Sequence, residues 1–259
     1  MKHVATIAGR ELRGLFLSPI AYGVLALFSV LAGLFFILNL AWFNDLVMRL
    51  QQFQAFDRLE EMNLNDDLIR EFYGSMSVVL LFLVPGITMG LFAAEKTNGT
   101  QELLLTSPLT IWDIVLGKFL AGALFVAILA LIVGAYPLLL FFYGDPEVGK
   151  TLTGLAAVLL VGWTYVAIGA FASSLTRSQV VAFLVTFVLL LFLLLLPAVS
   201  DLGIAKGAAG GVLRWISTGS HFEDMLKGLV STADLAYFAV MIGSFLLLTK
   251  AAVESVRWR

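Results

Sequence analysis

The chain has 259 residues, 60% hydrophobic and only 13% charged, with a mean hydropathy of +0.98, so its 16 basic and 18 acidic side chains cannot cover a water-facing exterior and the missing solvent must be lipid. A net charge of −2 provides no global basic field to hold nucleic acid. The absence of Cys removes thiolate catalysis, Cys-ligated zinc, iron–sulfur clusters and disulfides, and two His at opposite ends, His3 and His221, build no multi-histidine metal or haem centre.

From the N-terminus, Val4, Ile7, Leu12, Leu15 and Phe16 recur near helical spacing with Lys2, Arg10 and Arg13 between them, which predicts an amphipathic helix over residues 2–17 on the inner membrane surface. Ser18-Pro19 then turns the chain into the bilayer. A hydrocarbon core takes about 20 apolar residues of helix. Runs of that kind predict six spans, at 20–43, 72–94, 119–143, 152–173, 180–199 and 235–249. The first is too long for a signal-peptide core and follows residues that include Glu11, so it reads as a retained span. Segment 44–71 keeps Leu46, Leu50, Phe53, Phe56 and Leu59 among seven acids, as helical extensions outside the bilayer would. Segment 200–234 is Gly-rich around residues 206–211 and then amphipathic (Val212, Leu213, Trp215, Ile216, Met225, Leu226, Leu229), as an interfacial or re-entrant helix pair would be. A solvated loop is the alternative for both segments.

An even span count puts both termini on one side. Cytoplasmic loops are enriched in Lys and Arg. The termini and even-numbered connections hold nine of these residues, the other connections seven, diluted there by 13 of the 18 acids. Both termini are therefore expected in the cytoplasm.

Gly144-Asp145-Pro146-Glu147-Val148-Gly149-Lys150-Thr151 matches the phosphate-binding pattern G-x-x-x-x-G-K-[ST]. A working P-loop follows a strand, so that loop N–H groups and a helix N-terminus converge on phosphate. Here the preceding apolar run has the length of a span, and the match reads as an accidental one in a hairpin. His221, beside Ser217, Thr218 and Ser220, raises a Ser/His hydrolase. No G-x-S-x-G surrounds it, and a surface His is the expectation. No ionisable residue falls inside the six assigned runs, which argues against proton relays and ion-coupled transport.

The connection after the second span, residues 95–117, reads as a turn at Asn98-Gly99 and a short helix N-capped by Thr100, with Leu103 and Leu104 on its apolar side, ended before Pro108. Thr110-Ile111-Trp112-Asp113 then caps the helix of the third span. A short cytoplasmic helix between two spans can receive force from a soluble partner; a capped interfacial turn is the alternative.

Glu95-Lys96-x-x-Gly99-Thr100-x-Glu102-Leu103-Leu104-x-Thr106-x-Pro108, followed by Val115-Leu116-Gly117-Lys118, resembles the signature of ABC-2 type transporter permeases, most of all the gliding-motility-associated permease subunits. Pro85-Gly86-Ile87-Thr88-Met89, Ala167-Ile168-Gly169-x-Phe171-Ala172-Ser173-Ser174 and Lys227-Gly228-Leu229-Val230 are similar to the same family. The resemblance implies an all-α integral membrane protein forming a single ABC-2 type domain over 1–259. Its parts would be six transmembrane helices, an amphipathic N-terminal connecting helix, a cytoplasmic coupling helix and the interfacial or re-entrant pair before the last span. It also implies a non-catalytic permease in the bacterial inner membrane, paired with a second permease chain of the same or another kind and docked on two separate ATPase subunits, which would bind ATP and Mg²⁺. Further partners would be membrane lipid and an extracytoplasmic accessory protein. On this reading Glu95, Lys96, Gly99, Thr100, Glu102, Leu103, Leu104, Thr106 and Pro108 form the ATPase-coupling element, with Glu95 and Glu102 at the rim of an ATPase groove. The chain's length is expected to leave no room for a nucleotide-binding domain. Two other functions fit the composition: a structural or assembly subunit of an envelope machine, and an intramembrane hydrolase built on His221.

Overall fold

Backbone N–H and C=O groups placed in hydrocarbon must bond within their own segment, which makes a helix the solution for an isolated apolar run. The computed structural model describes residues 2–100, 109–201, 211 and 215–257. Its helices are α1 (Lys2–Leu17), α2 (Pro19–Gln52), α3 (Phe56–Glu61), a π-helical turn (Asn65–Ile69), α4 (Arg70–Thr88), α5 (Gly90–Thr97), α6 (Ile111–Leu140), α7 (Val148–Leu175), α8 (Gln179–Asp201), α9 (Thr218–Leu226) and α10 (Thr232–Arg257). Six stretches have the length and apolarity to cross a membrane: Ala21–Gln52, Asn65–Thr97, Ile111–Leu140, Val148–Leu175, Gln179–Leu196 and Thr232–Ser255.

Each of the six expected spans corresponds to helix, and every helix is longer than its apolar run except in the second span, which is divided between α4 and α5. Span 20–43 continues as helix to Gln52, and the run at 119–143 starts its helix eight residues earlier, at Ile111. Hydropathy marks only the stretch matched to hydrocarbon, whereas backbone bonding and pairs such as Arg49–Asp45, at 2.8 Å, carry the helix beyond it. The helical extensions expected within 44–71 are the end of α2, α3 and the π turn.

Helices α4, α6 and α7 form the middle of the bundle, while α2, α8 and α10 present exposed apolar side chains such as Leu34 and Ile37, Val188 and Phe192, and Val240. Small residues set the central approach. A Cβ at Gly162 of α7 would lie 2.4 Å from Val126 of α6, and one at Gly122 of α6 would lie 2.8 Å from Val166.

Pro85 has no N–H to donate, and two residues beyond Ile87 the second span breaks at Met89, between α4 and α5. Ser173 of α7 fills the break. Its hydroxyl accepts from the N–H groups of Phe92 (3.0 Å) and Ala93 (3.1 Å) and donates to the Met89 carbonyl (2.8 Å). It thus caps α5 from another helix. One turn away, a Cβ at Gly169 would stand 2.1 Å from the Thr88 hydroxyl, so the two helices touch backbone to side chain there.

At the end of the bundle away from the termini, the P-loop pattern follows helix α6. Lys150 Nζ lies 3.1 Å from both Asp66 and Glu147. The Thr151 hydroxyl accepts from Asn65 Nδ2 (3.0 Å) and donates to the Glu147 carbonyl (3.0 Å). Hydrogen bonding from Asn63, and then Lys150, holds the Glu147 carboxyl below the ordinary Glu range. Both side chains that would hold phosphate are engaged inside the protein.

Of the pair expected before the last span, residues 202–210 and 212–214 lie outside the described residues. Helix α9 reaches from Gly228, against Lys150, and Leu226, against Gly154, to Thr218 and Gly219 beside Val161 and Tyr165. Lys150 to Val161 is eleven residues of helix, about 16 Å, so α9 runs along the bundle and takes the re-entrant form. This corrects the surface placement of His221, which is 8% exposed. Its Nδ1 meets Asp234 Oδ1 of α10 at 2.6 Å, its Nε2 meets the Trp215 carbonyl at 3.1 Å, and its ring stacks on Tyr237. Two of the polar neighbours that signalled a surface are engaged inside the protein, Ser217 as a helix cap and Thr218 against the Tyr237 hydroxyl. Ser217 caps α9, accepting from Gly219 N at 3.1 Å, and with both ring nitrogens facing oxygen acceptors no Ser–His dyad forms.

Candidate coupling site

The end of the bundle that carries both termini is organised around one buried ammonium. On α6, Ile114, Val115, Lys118 and Ala121 recur at helical spacing on the core-facing side, and Lys118 is 1% exposed. A buried cation is stable only with partners. Lys118 Nζ lies 2.8 Å from Glu95 Oε1 of α5 and 3.2 Å from Glu11 Oε1 of α1, and 5.4 Å from the centre of the Phe92 ring. Arg10 joins at 2.8 Å from Glu11 and 3.8 Å from Glu95.

Helix α1 is docked on protein through the stripe Val4, Ile7, Ala8, Glu11, Leu12 and Leu15. Ile7 and Ala8 are buried. Ile7 rests on Gly117 of α6, where a Cβ would lie 2.6 Å from its Cγ2. The amphipathic helix expected over residues 2–17 is present, and its apolar stripe carries an acid, Glu11, that pairs inside the protein.

The structure describes four of the nine residues expected to form the coupling element. Glu95 is turned inward to Lys118, and the buried ammonium outcompetes solvent for the carboxylate. Lys96 donates to the Ser174 carbonyl at the end of α7, and the neighbouring Thr97 hydroxyl donates to the Arg177 carbonyl. Gly99 has φ of +70°, a left-handed turn that glycine adopts without strain and that stops α5 after Asn98. Thr100 closes this turn, its N–H donating to the Glu95 carbonyl at 3.0 Å. Glu102, Leu103, Leu104, Thr106 and Pro108, and with them the helix expected at 100–107, lie outside the described residues. Beyond them the expected cap is present. The Thr110 hydroxyl accepts from Asp113 N (3.1 Å), and Asp113 accepts from Thr110 N (3.2 Å). Lys250 of α10, 5.6 Å from the centre of the Trp112 ring, adds the last helix to the same end.

Segment 98–110 is therefore flanked by two helices that are joined to each other through Glu95–Lys118, to α1 through Glu11, and to the end of α7 through Ser173, Lys96 and Thr97. Sequence reasoning missed Glu11, Lys118 and Ser173. A signal was present for two of them, since Glu11 and Lys118 each occupy a position on an otherwise apolar helical stripe.

Residues 5–254 match the family described as ABC-2 family transporter protein. The chain is also similar to the probable multidrug ABC transporter permease YbhR of Escherichia coli strain K12 and of Escherichia coli O157:H7, with 28% identity over 185 residues in each case. That alignment covers 64% of this chain and 48% of the relative, so the chain spans about half the length of the curated relatives it matches. With six helices fit to cross a membrane and a family match along nearly its whole length, the chain belongs to the ABC-2 family of transporter proteins.

Proposed function

We propose that residues 1–259 form one ABC-2 transmembrane domain that acts as a permease subunit of an ATP-binding-cassette exporter, in the bacterial inner membrane with both termini cytoplasmic. The domain pairs with a second permease chain and docks on two ATPase subunits that bind ATP and Mg²⁺; this chain receives their motion through residues 95–108. The observation that carries the reading is the Lys118 clamp. Because α5 and α6 share one buried ion cluster with α1, a displacement of the segment between them is passed to spans two and three. Ser173 and Lys96 extend that path to span four. The relatives' multidrug name supports export. Within the family, the motif residues around Glu95 resemble those of the gliding-motility-associated permeases.

The test is co-purification with a candidate ABC ATPase subunit, and its turnover in lipid nanodiscs. Truncating a desolvated anchor costs more than about 1–2 kcal/mol, while an exposed rim charge is worth about 0–1. Leu103→Ala with Leu104→Ala should therefore loosen assembly more than Glu102→Ala, and Glu102→Lys should uncouple turnover by repulsion. Unchanged assembly and turnover in the leucine double variant would move the point of force entry to α1. Single Cys residues at Thr106 or Arg177 should label only from the cytoplasm, and at Arg58 or Lys206 only from outside; external labelling at Thr106 would sink the proposal.

A further inference from the structure

Where α9 meets α4, α7 and α8, the side chains of Ser77, Val161, Tyr165, Leu194, Thr218 and Phe222 line a partly open cavity of about 20 Å³. One water needs about 10–15 Å³ by this measure, and two to four polar partners. Three hydroxyl-bearing residues line the cavity. Tyr165 is 3% exposed, and its hydroxyl has no hydrogen-bond partner among the described residues. Ser77, also buried, donates to the Gly74 carbonyl at 2.7 Å and keeps its lone pairs free. Tyr237 donates its hydroxyl hydrogen to the Ile216 carbonyl (2.7 Å), so the 3.1 Å contact between Thr218 Oγ1 and Tyr237 OH takes its hydrogen from Thr218 and leaves that oxygen able to accept. One donor and two acceptors thus belong to side chains that line a space of one water's size.

We propose that this cavity is a binding site for a single ordered water, which accepts from Tyr165 and donates to Ser77 and Thr218. The water completes the hydrogen bonding of a tyrosine that would otherwise bury an unsatisfied hydroxyl, and it ties the deep end of the re-entrant helix α9 to spans two and four. The inference is independent of any transport role.

Tyr165→Phe separates the two states of the site by sign. A hydroxyl bonded to water contributes to stability, so its removal should lower the melting temperature in nanodiscs by about 2–4 °C. An orphaned hydroxyl costs stability, so an unchanged or raised melting temperature would overturn the proposal. Radiolytic hydroxyl labelling of the wild-type chain gives a second readout that needs no variant, because radicals form from water held at the site. Tyr73 is the internal reference: it is 1% exposed, but its hydroxyl donates to the Thr151 carbonyl at 3.2 Å. Tyr165 should be modified at least about fivefold faster than Tyr73, and equal rates would overturn the assignment.

Discussion

Glu95 and Lys118 meet at 2.8 Å across a segment of 22 intervening residues, one on the helix that enters the connection between spans two and three and the other on the helix that leaves it. The contact closes the base of that connection. Residues 98–110 are thus flanked by two helices that are clamped together through a buried contact.

The clamp predicts a specific pattern of energies. Removing one partner of a buried ion pair costs about 3–5 kcal/mol, because the remaining charge is left uncompensated. Lys118→Met should therefore lower thermal stability strongly, with Glu11 and Glu95 left facing each other. Glu95→Gln in the same chain should recover part of that loss. A double-mutant cycle should return a coupling of about 1–3 kcal/mol; strict additivity of the two changes would show that the contact contributes nothing.

Ser173 supplies a cap that α5 does not carry in its own sequence. Ser173→Ala leaves the N–H groups of Phe92 and Ala93 and the Met89 carbonyl without their side-chain partner, at a cost of about 1–3 kcal/mol. Ser173→Thr retains the hydroxyl. If the cap is the reason for this residue, thermal stability and ATPase stimulation should fall together in the alanine variant and should be closer to wild type in the threonine variant.

The crossing of Gly169 and Thr88 is testable by rescue. Gly169→Ala adds a methyl group where only 2.1 Å is open to the Thr88 hydroxyl, and overpacking of this kind costs about 1–3 kcal/mol. Thr88→Ala removes the hydroxyl and the methyl but keeps the Cβ, 2.6 Å from the added group, so the double variant should recover part of the stability lost in Gly169→Ala. Equal stability of the single and double variants would place the strain elsewhere.

Lys150→Ala tests the P-loop resemblance. ATP turnover of the assembled complex should stay within about twofold of wild type, because Lys150 is held by Asp66 and Glu147 and follows a helix; loss of the lysine of a working P-loop removes its charge from the β/γ-phosphates. The same site has a signed acid response. Since the folded Glu147 carboxyl titrates below the ordinary Glu value, its contribution to stability is present above that ordinary value and is lost as pH falls through the lowered folded one. Thermal melts should show a smaller acid dependence in Glu147→Gln.

The spans and the cap at Thr110 were legible because each rests on a local signal: twenty apolar residues, or a Thr three positions before an Asp. What escaped was pairwise. Lys118 stood one residue outside an apolar run and read as the charged flank of a span, although the stripe of Ile114, Val115 and Ala121 already placed it on the core side. Ser173 looked like one small residue in a motif, and its role appears only when α5 is broken at Met89 beside it. His221 misled in the opposite direction, because nearby hydroxyls serve inside the protein, Ser217 as a helix cap and Thr218 against Tyr237, and its true partner, Asp234, lies thirteen positions away on another element.

That pair supports the last prediction. His221 and Asp234 are both buried, the imidazole lies between a carboxylate and the Trp215 carbonyl, and its ring packs on Tyr237 with 4.1 Å between centroids. The contact joins the re-entrant helix to the start of the last span, so its loss should release α9 and leave the bundle's centre intact. Asp234→Ala should raise hydrogen exchange in residues 218–226 while α6 and α7 keep their protection. Ser217→Ala removes only a cap and should cost about 1 kcal/mol. If the Ser217 region were a hydrolase, a fluorophosphonate probe would label the wild-type chain and Ser217→Ala would abolish the label. The geometry predicts no labelling in either, since Ser217 accepts from Gly219 and neither imidazole nitrogen is turned to it. Labelling at Ser217 would restore the enzyme reading and displace the latch.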